Sequence, residues 1–264
     1  MGALARIDPD TILPQLDTFL KTSLEKPGLH NGIVGLSGGI DSAVVAALLV
    51  RAVGSARSRF VYMPHAISSE ESARDAREVA SMLDVELIEV PITDMTRGYA
   101  GFGNLDHLRA GNLMARMRMA VLYDLSAGHE ALVIGTSNKT EILLGYGTLF
   151  GDTACAVNPV GDLYKTWIRE LAVILGIPEL IQTKPPSADL WTGQTDEDEL
   201  GIDYATADQI LYHLVDERLP VDEVIRIGFD DSLVRDVWER MERNAYKSRL
   251  PEIFRLFGGS DDTP

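Results

Sequence analysis

The sequence holds one cysteine, Cys155, among 264 residues. A single thiol excludes an internal disulfide framework and any multi-cysteine metal site. Histidine is also scarce: the five residues are scattered and show no metal-ligand spacing. No apolar run reaches the ~18 residues that a membrane-spanning helix needs. The opening MGALARIDPD carries no apolar stretch of the kind a signal peptide has, so a reducing cytoplasm is the expected setting. Basic residues are few: 24 Lys and Arg face 40 Asp and Glu, a net charge of −16. That field repels phosphate backbones at long range, so neither nucleic acid nor an anionic membrane is expected as a partner. It does not exclude a small phosphate ligand, which needs only a local cluster of donors. The deficit is itself local, since residues 189–239 hold fifteen acids against Arg218, Arg226 and Arg235.

What is present is an ordinary globular composition, 45% hydrophobic and 24% charged, with length enough for one large core. Apolar residues at Ile12, Leu13, Leu16, Phe19, Leu20 and Leu24 predict a helix over 10–26, ended by Pro27-Gly28. GIVGLSGG, 32–39, reads as a buried strand running into a tight loop, and 41–52 as the helix after it. The alternation continues with strands over 59–64, 85–92 and 131–136. Helices are expected over 68–83, with Ser68 or Ser69 as N-cap, and over 109–127; a glycine-rich loop, 98–103, precedes the latter. A helix over 164–175 follows, then a long loop, 184–201, of the kind that forms mobile lids. The remainder to about residue 257 reads as helical and acidic. The expectation is one α/β domain over 1–264: an open, doubly wound, mostly parallel five-stranded sheet with helices on both faces, and a helical C-terminal extension. Ligands of such sheets sit beyond the carboxyl ends of the strands.

The strongest motif is Ser37-Gly38-Gly39-Ile40-Asp41-Ser42, between a strand and a helix. Glycines let the chain turn tightly and aim several N–H groups at one point. The helix start adds its positive end, and two serines add hydroxyls. This makes a cradle for pyrophosphate. Asp41 would repel a bare phosphate, so its natural role beside one is to hold Mg²⁺; the plainer alternative is a helix N-cap.

SGGIDS resembles the pyrophosphate loop of the N-type ATP pyrophosphatases, which activate an oxygen as an adenylate. Later segments, GNLMARMRMAVLYDLS (111–126), GTSNKTEILLGYGTLFGD (135–152), NPVGDLYKTWIRELA (158–172) and KPPSADLWTGQTDEDELG (184–201), are similar in order and spacing to NAD synthetases. The resemblance implies a Rossmann-like ligase joining ammonia to nicotinic acid adenine dinucleotide (deamido-NAD), with ATP converted to AMP and pyrophosphate. It implies ATP contacts from Gly35, Leu36, Ser37, Gly38, Gly39, Ile40, Asp41, Ser42, Thr136, Lys165 and Ser187, and Mg²⁺ ligands in Asp41 and Glu141. It places Arg116 and Lys247 on the dinucleotide and Asp152 beside the ammonia pocket, where a carboxylate attracts ammonium and accepts a proton. Asp41 and Asp152 are the catalytic assignments. Each has a plainer reading: Glu141 or Arg116 as solvated helix residues, Lys165 as a surface lysine, Asp152 as a turn residue, Lys247 as a basic helix end. A homodimer with the dinucleotide site at its interface is also implied. No glutaminase domain is expected, so ammonia would come from solution or from a separate glutaminase.

The chain departs from the family's pattern at Leu149, where a lysine is usual, at Ala156, where an aspartate is usual, and at Tyr246, where a histidine precedes Lys247. These departures fall on dinucleotide contacts and leave the ATP contacts intact. GYGTLFG (145–151) is one residue too long for a dinucleotide fingerprint and follows a helix. Cys155 lies between alanines with no histidine nearby, which argues against a nucleophile.

Overall fold

The structure is a computed structural model that describes residues 4–100, 103, 105–187, 195–249, 253, 254 and 256. In chain order the elements are α1 (Pro9–Glu25), β1 (Asn31–Gly35), α2 (Ile40–Val53), β2 (Ser58–Tyr62), α3 (Glu70–Met82), β3 (Leu87–Glu89), α4 (Thr93–Ala100), α5 (His107–Gly128), β4 (Ala131–Ile134), α6 (Lys139–Leu144), α7 (Lys165–Ile174), α8 (Glu179–Thr183), α9 (Asp196–Leu200), α10 (Tyr204–Leu211), α11 (Val221–Ile227) and α12 (Asp231–Asn244). Short helical turns at Ser55–Arg57, Tyr212–Asp216 and Ala245–Ser248 join them.

The strands form one parallel sheet in the order β3-β2-β1-β4. Strand side chains alternate between its faces. Val34 and Phe60 pack with α1, α2, α3 and α7 on one side. Ile33, Val61 and Val133 pack with Met114, Met119 and Leu122 of α5 on the other. This is why β1 and its neighbours are apolar throughout: both faces are covered. A third core joins Leu144 of α6 to Tyr204, Ile210, Val224, Val234 and Val237 of the C-terminal helices. Among the described residues no helix is long and apolar enough to cross a membrane.

The expected five-stranded sheet has four strands among the described residues. Where a fifth would lie, Val157 makes a single parallel bridge to Ile134. Gly135 N–H donates to Val157 O at 2.7 Å and Ala156 N–H to Val133 O at 2.9 Å. Pro159 then offers no N–H, and the pairing stops. The strand expected over 85–92 shrinks to Leu87–Glu89, although backbone pairing runs past it: Val90 N–H donates to Tyr62 O and Ile92 N–H to Pro64 O, both at 2.9 Å. The glycine-rich loop begins later than expected, because Thr93–Ala100 is helical. Of the segment 184–201, residues 188–194 lie outside the described residues; 196–200 form α9.

Sheet order reverses between β1 and β4. β1 leads through α2 to β2 on one side, while β4 lies on the other. The carboxyl ends of β1 and β4 therefore open a crevice, and both chemically marked segments, 37–42 and 136–141, start there.

Candidate active site

The 37–42 loop is held by its own side chains. Ser37 N–H donates to Ser42 Oγ at 3.2 Å, the Ser42 hydroxyl donates to Gly39 O at 2.9 Å, and Gly39 N–H donates to Ser37 Oγ at 3.2 Å. Gly38 has φ +85°, and a Cβ there would stand 2.4 Å from Ser72 O. Gly39 precedes α2 with no side-chain cap, which leaves the first-turn N–H groups for an anion.

Asp41 is in the first turn of α2, Glu141 in that of α6, and Lys165 opens α7. Lys165, only 2% exposed, sets Nζ 2.5 Å from Asp41 Oδ2 and 3.3 Å from Glu141 Oε1. Asn138 ties the group together. Its amide donates to Asp41 Oδ1 at 2.9 Å, and it forms a reciprocal capping box with Glu141. Burial pushes the Glu141 carboxyl up to about 8; Asp41 and Asp196 add to the rise and Lys165 opposes it. Burial alone would lower Lys165, but Asp41 and Glu141 outweigh it and its ammonium is held more firmly than usual.

Three participants were not singled out by sequence reasoning. Asp196 is buried, and its two oxygens accept from the hydroxyls of Tyr146 (3.0 Å) and Tyr204 (3.1 Å). Burial raises its carboxyl. The Tyr204 ring lies 5.1 Å from Lys165 Nζ. Asn138 entered the sequence reading only inside the segment 135–152; the signal available was an Asn three residues before a Glu at a helix start.

A second cluster surrounds the loop 145–153. Arg116 of α5 is exposed and donates from Nε to Leu149 O at 3.2 Å. Lys247 donates to Gly145 O at 2.7 Å and Gly147 O at 3.1 Å. Asp152 Oδ1 accepts from Thr148 N–H at 2.9 Å. The Asp152 residue reaches solvent, yet enough protein crowds its carboxyl that burial raises it, against the pull of Thr148 and Lys247. Burial lowers Lys247, with Arg243 adding to the effect. The structure thus brings Arg116, Leu149, Asp152 and Lys247 to one loop, and α6 connects that loop to Glu141. Leu149 is joined through its backbone carbonyl, which any residue offers. Tyr246 is 59% exposed beside Lys247. Ala156 is exposed alongside β4, and Thr136, half-buried, stands just beyond that strand. Ser187 is exposed at the edge of the described residues. Burial raises the Cys155 thiol, which fits an unreactive side chain.

Among the described residues no group of three or more His, Cys, Asp or Glu is placed to hold a metal ion. Asp41 and Glu141 nonetheless each bring a carboxyl oxygen to Lys165 Nζ, at 2.5 and 3.3 Å, so the two acids stand side by side. Neighbouring hard oxygens of this kind fit a divalent cation, which would favour the ionised form of Glu141 when bound.

A family model described as NAD synthase matches residues 12–251. A Fusobacterium nucleatum protein named NH(3)-dependent NAD(+) synthetase is 47% identical over 245 residues, covering 92% of this chain and 94% of its own length. The structure of an NMN synthetase from Francisella tularensis superposes with a TM-score of 0.84 at 30% identity, covering 95% of this chain and 100% of that one. An NH3-dependent NAD synthetase from Campylobacter jejuni gives a TM-score of 0.81 at 35% identity, covering 94% and 100%. With matches of this extent on a site of this composition, the chain belongs to the NAD synthase family.

Proposed function

We propose that this protein is a ligase that amidates deamido-NAD with ammonia at the expense of ATP, giving NAD, AMP and pyrophosphate. The observation that carries the reading is the meeting of Asp41, Glu141 and Lys165 beside a self-braced SGGIDS loop at the switch point of the sheet. The chemistry follows from the geometry. Backbone N–H groups of the loop and of the first turn of α2 bind the departing pyrophosphate. Lys165 fixes phosphate oxygens as a buried point charge. Thr136 and Ser187 complete the ATP contacts. Asp41 and Glu141 would hold a divalent cation, Mg²⁺ in this reading, which when bound offsets phosphate charge. The nicotinate carboxylate attacks the α-phosphorus, and the resulting acyl-adenylate splits one difficult amidation into two easier steps.

Arg116 and Lys247 bind the dinucleotide, with Leu149, Ala156 and Tyr246 lining the same region. Asp152, with its carboxyl already raised, attracts ammonium and takes a proton before the amine attacks. The segment 184–201 acts as a lid that keeps water from the adenylate. The protein works as a cytoplasmic homodimer with the dinucleotide site at its interface, and ammonia arrives free or from a separate glutaminase.

The test is purified protein with ATP, Mg²⁺, ammonium and deamido-NAD, offered also nicotinic acid mononucleotide because of the Francisella likeness. NAD, AMP and pyrophosphate are the expected products. ADP, or faster use of the mononucleotide, would overturn the reading. Asp41→Ala should abolish pyrophosphate release while the protein still folds; retained turnover would remove Asp41 from the metal role.

A further inference from the structure

One fully buried acid has no part in the roles above. Asp208 of α10 is 0% exposed. Its Oδ1 accepts from the Thr140 hydroxyl at 2.5 Å, and its Oδ2 accepts from the Thr166 backbone N–H at 2.8 Å. Thr140 in turn accepts from the Lys165 backbone N–H at 3.0 Å. Thr140 immediately precedes Glu141 in the first turn of α6, and Lys165 and Thr166 open α7. One carboxylate therefore holds the first turns of both helices that carry the paired site residues. The covalent path between them runs through the whole 145–164 loop, so it sets no register at this scale. Two further ties exist, Lys139 N–H to Leu163 O at 2.8 Å and Asp216, which accepts from Lys139 Nζ at 2.7 Å and from the Tyr164 hydroxyl at 2.5 Å, but both act on residues that precede Thr140 and Lys165. An apolar side chain would fill the place of Asp208 at less desolvation cost, so packing alone does not account for a carboxylate there.

We propose that Asp208 is a positioning residue: acting through Thr140 and Thr166, it sets Glu141 and Lys165 at the spacing that the ATP half of the reaction needs. This rests on the functional reading above. It predicts that the hydroxyl of Thr140 matters as much as the carboxylate, because the hydroxyl relays between Asp208 and the Lys165 backbone. It also predicts that the damage is confined to ATP. The dinucleotide cluster hangs from Arg116, Asp152 and Lys247; among the described residues none of the three has a hydrogen bond to Asp208, Thr140 or Thr166, and the link to this network runs only through the backbone of α6.

The experiment compares the wild type with Asp208→Asn, Thr140→Val and Thr140→Ser. An amide keeps the volume of Asp208 but has one acceptor oxygen for two donors. Valine keeps the shape of Thr140 without the hydroxyl, and serine keeps the hydroxyl. Binding of ATP with Mg²⁺ is read by calorimetry, kcat and both KM values by turnover, and folding by thermal melting. Asp208→Asn and Thr140→Val should lose about 10- to 100-fold in kcat and weaken ATP binding, as changes to supporting hydrogen bonds of a metal site do. The dinucleotide KM should stay within about twofold, and Thr140→Ser should restore both losses. Unchanged kcat and ATP affinity in either variant would overturn the proposal. So would a loss that Thr140→Ser shares, or one that moves the dinucleotide KM equally. If Asp208→Asn does not fold, the valine and serine pair decides alone. Calorimetry with ATP needs no NAD formation, so a wild type that makes no NAD would overturn the functional reading and leave this test readable.

Discussion

Glu141 is held in the uncommon state of a carboxyl that keeps its proton near neutrality. Burial is the main cause, and the acids around it reinforce the effect. An unfolded glutamate titrates near 4.5, while the folded one titrates at about 8. Between those values the folded chain binds more protons than the unfolded chain, so this contribution to stability is whole below about pH 4.5 and drains away as pH rises toward about 8. Glu141→Gln cannot titrate and lacks that loss. In chelator, the melting temperature of Glu141→Gln should therefore gain on the wild type steadily from about pH 5 to pH 8, at about 2–4 °C per kcal/mol for a chain of this size. A gap that stays constant or narrows would mean that the carboxyl titrates normally. Asp41, Glu141 and Lys165 were legible in the sequence, the first from its place after two glycines, the others only through segment resemblance. Asp208 was not. It lies in the most acidic part of the chain, where an acid reads as a solvated one. The usable signal was its helical phase: Tyr204, Asp208 and Leu211 share one face, so the acid falls within an apolar stripe.

At the scale of elements, the turn between β1 and α2 is the most tightly specified. Gly38 needs its left-handed backbone, and it also passes against the Ser72 carbonyl of α3, whose first turn is fixed by the Ser69 cap. An added methyl meets both obstacles, and neither is the movable end of a side chain. Gly38→Ala should cost more than the ~1 kcal/mol usual for alanine at positive φ. It should also push the loop away from α3 and abolish ATP binding. Melting and calorimetry read the two effects, and a variant that binds ATP normally would show that the loop has slack. Strand boundaries were less legible than this turn. GIVGL, RFVYMP and ALVIG read correctly as buried strands because both faces of the sheet are covered. The fifth strand was expected from fold type, but AVNPV allows one bridge before Pro159 ends it. Tertiary ties, such as Asn158 Nδ2 donating to Ser137 O at 2.9 Å, decide that backbone, and no local propensity announces them.

Over the whole molecule the charge is divided between two regions of different character. The crevice between β1 and β4 presents backbone N–H groups and the ammonium of Lys165, which Asp41 and Glu141 hold. The C-terminal helices carry most of the excess acid: fifteen acids stand with three arginines over 189–239. Arg235 reaches two of those acids, at 3.2 Å on Asp222 and 2.8 Å on Asp231, and Arg226 meets Glu223 at 4.0 Å. Exposed pairs of this kind contribute little, and salt weakens them. Salt also weakens the repulsion among the remaining acids, which outnumber the paired ones. The two effects oppose each other, and the count decides the sign: repulsion is the larger. Raising NaCl from about 0.05 to 0.5 M shortens the screening length from over 10 Å to under 8 Å. The melting temperature should therefore rise across that range in chelator, and KCl should act alike, since screening does not depend on the ion's identity. A fall with added salt would mean that the few arginine pairs hold the C-terminal helices together more strongly than their neighbouring acids push them apart.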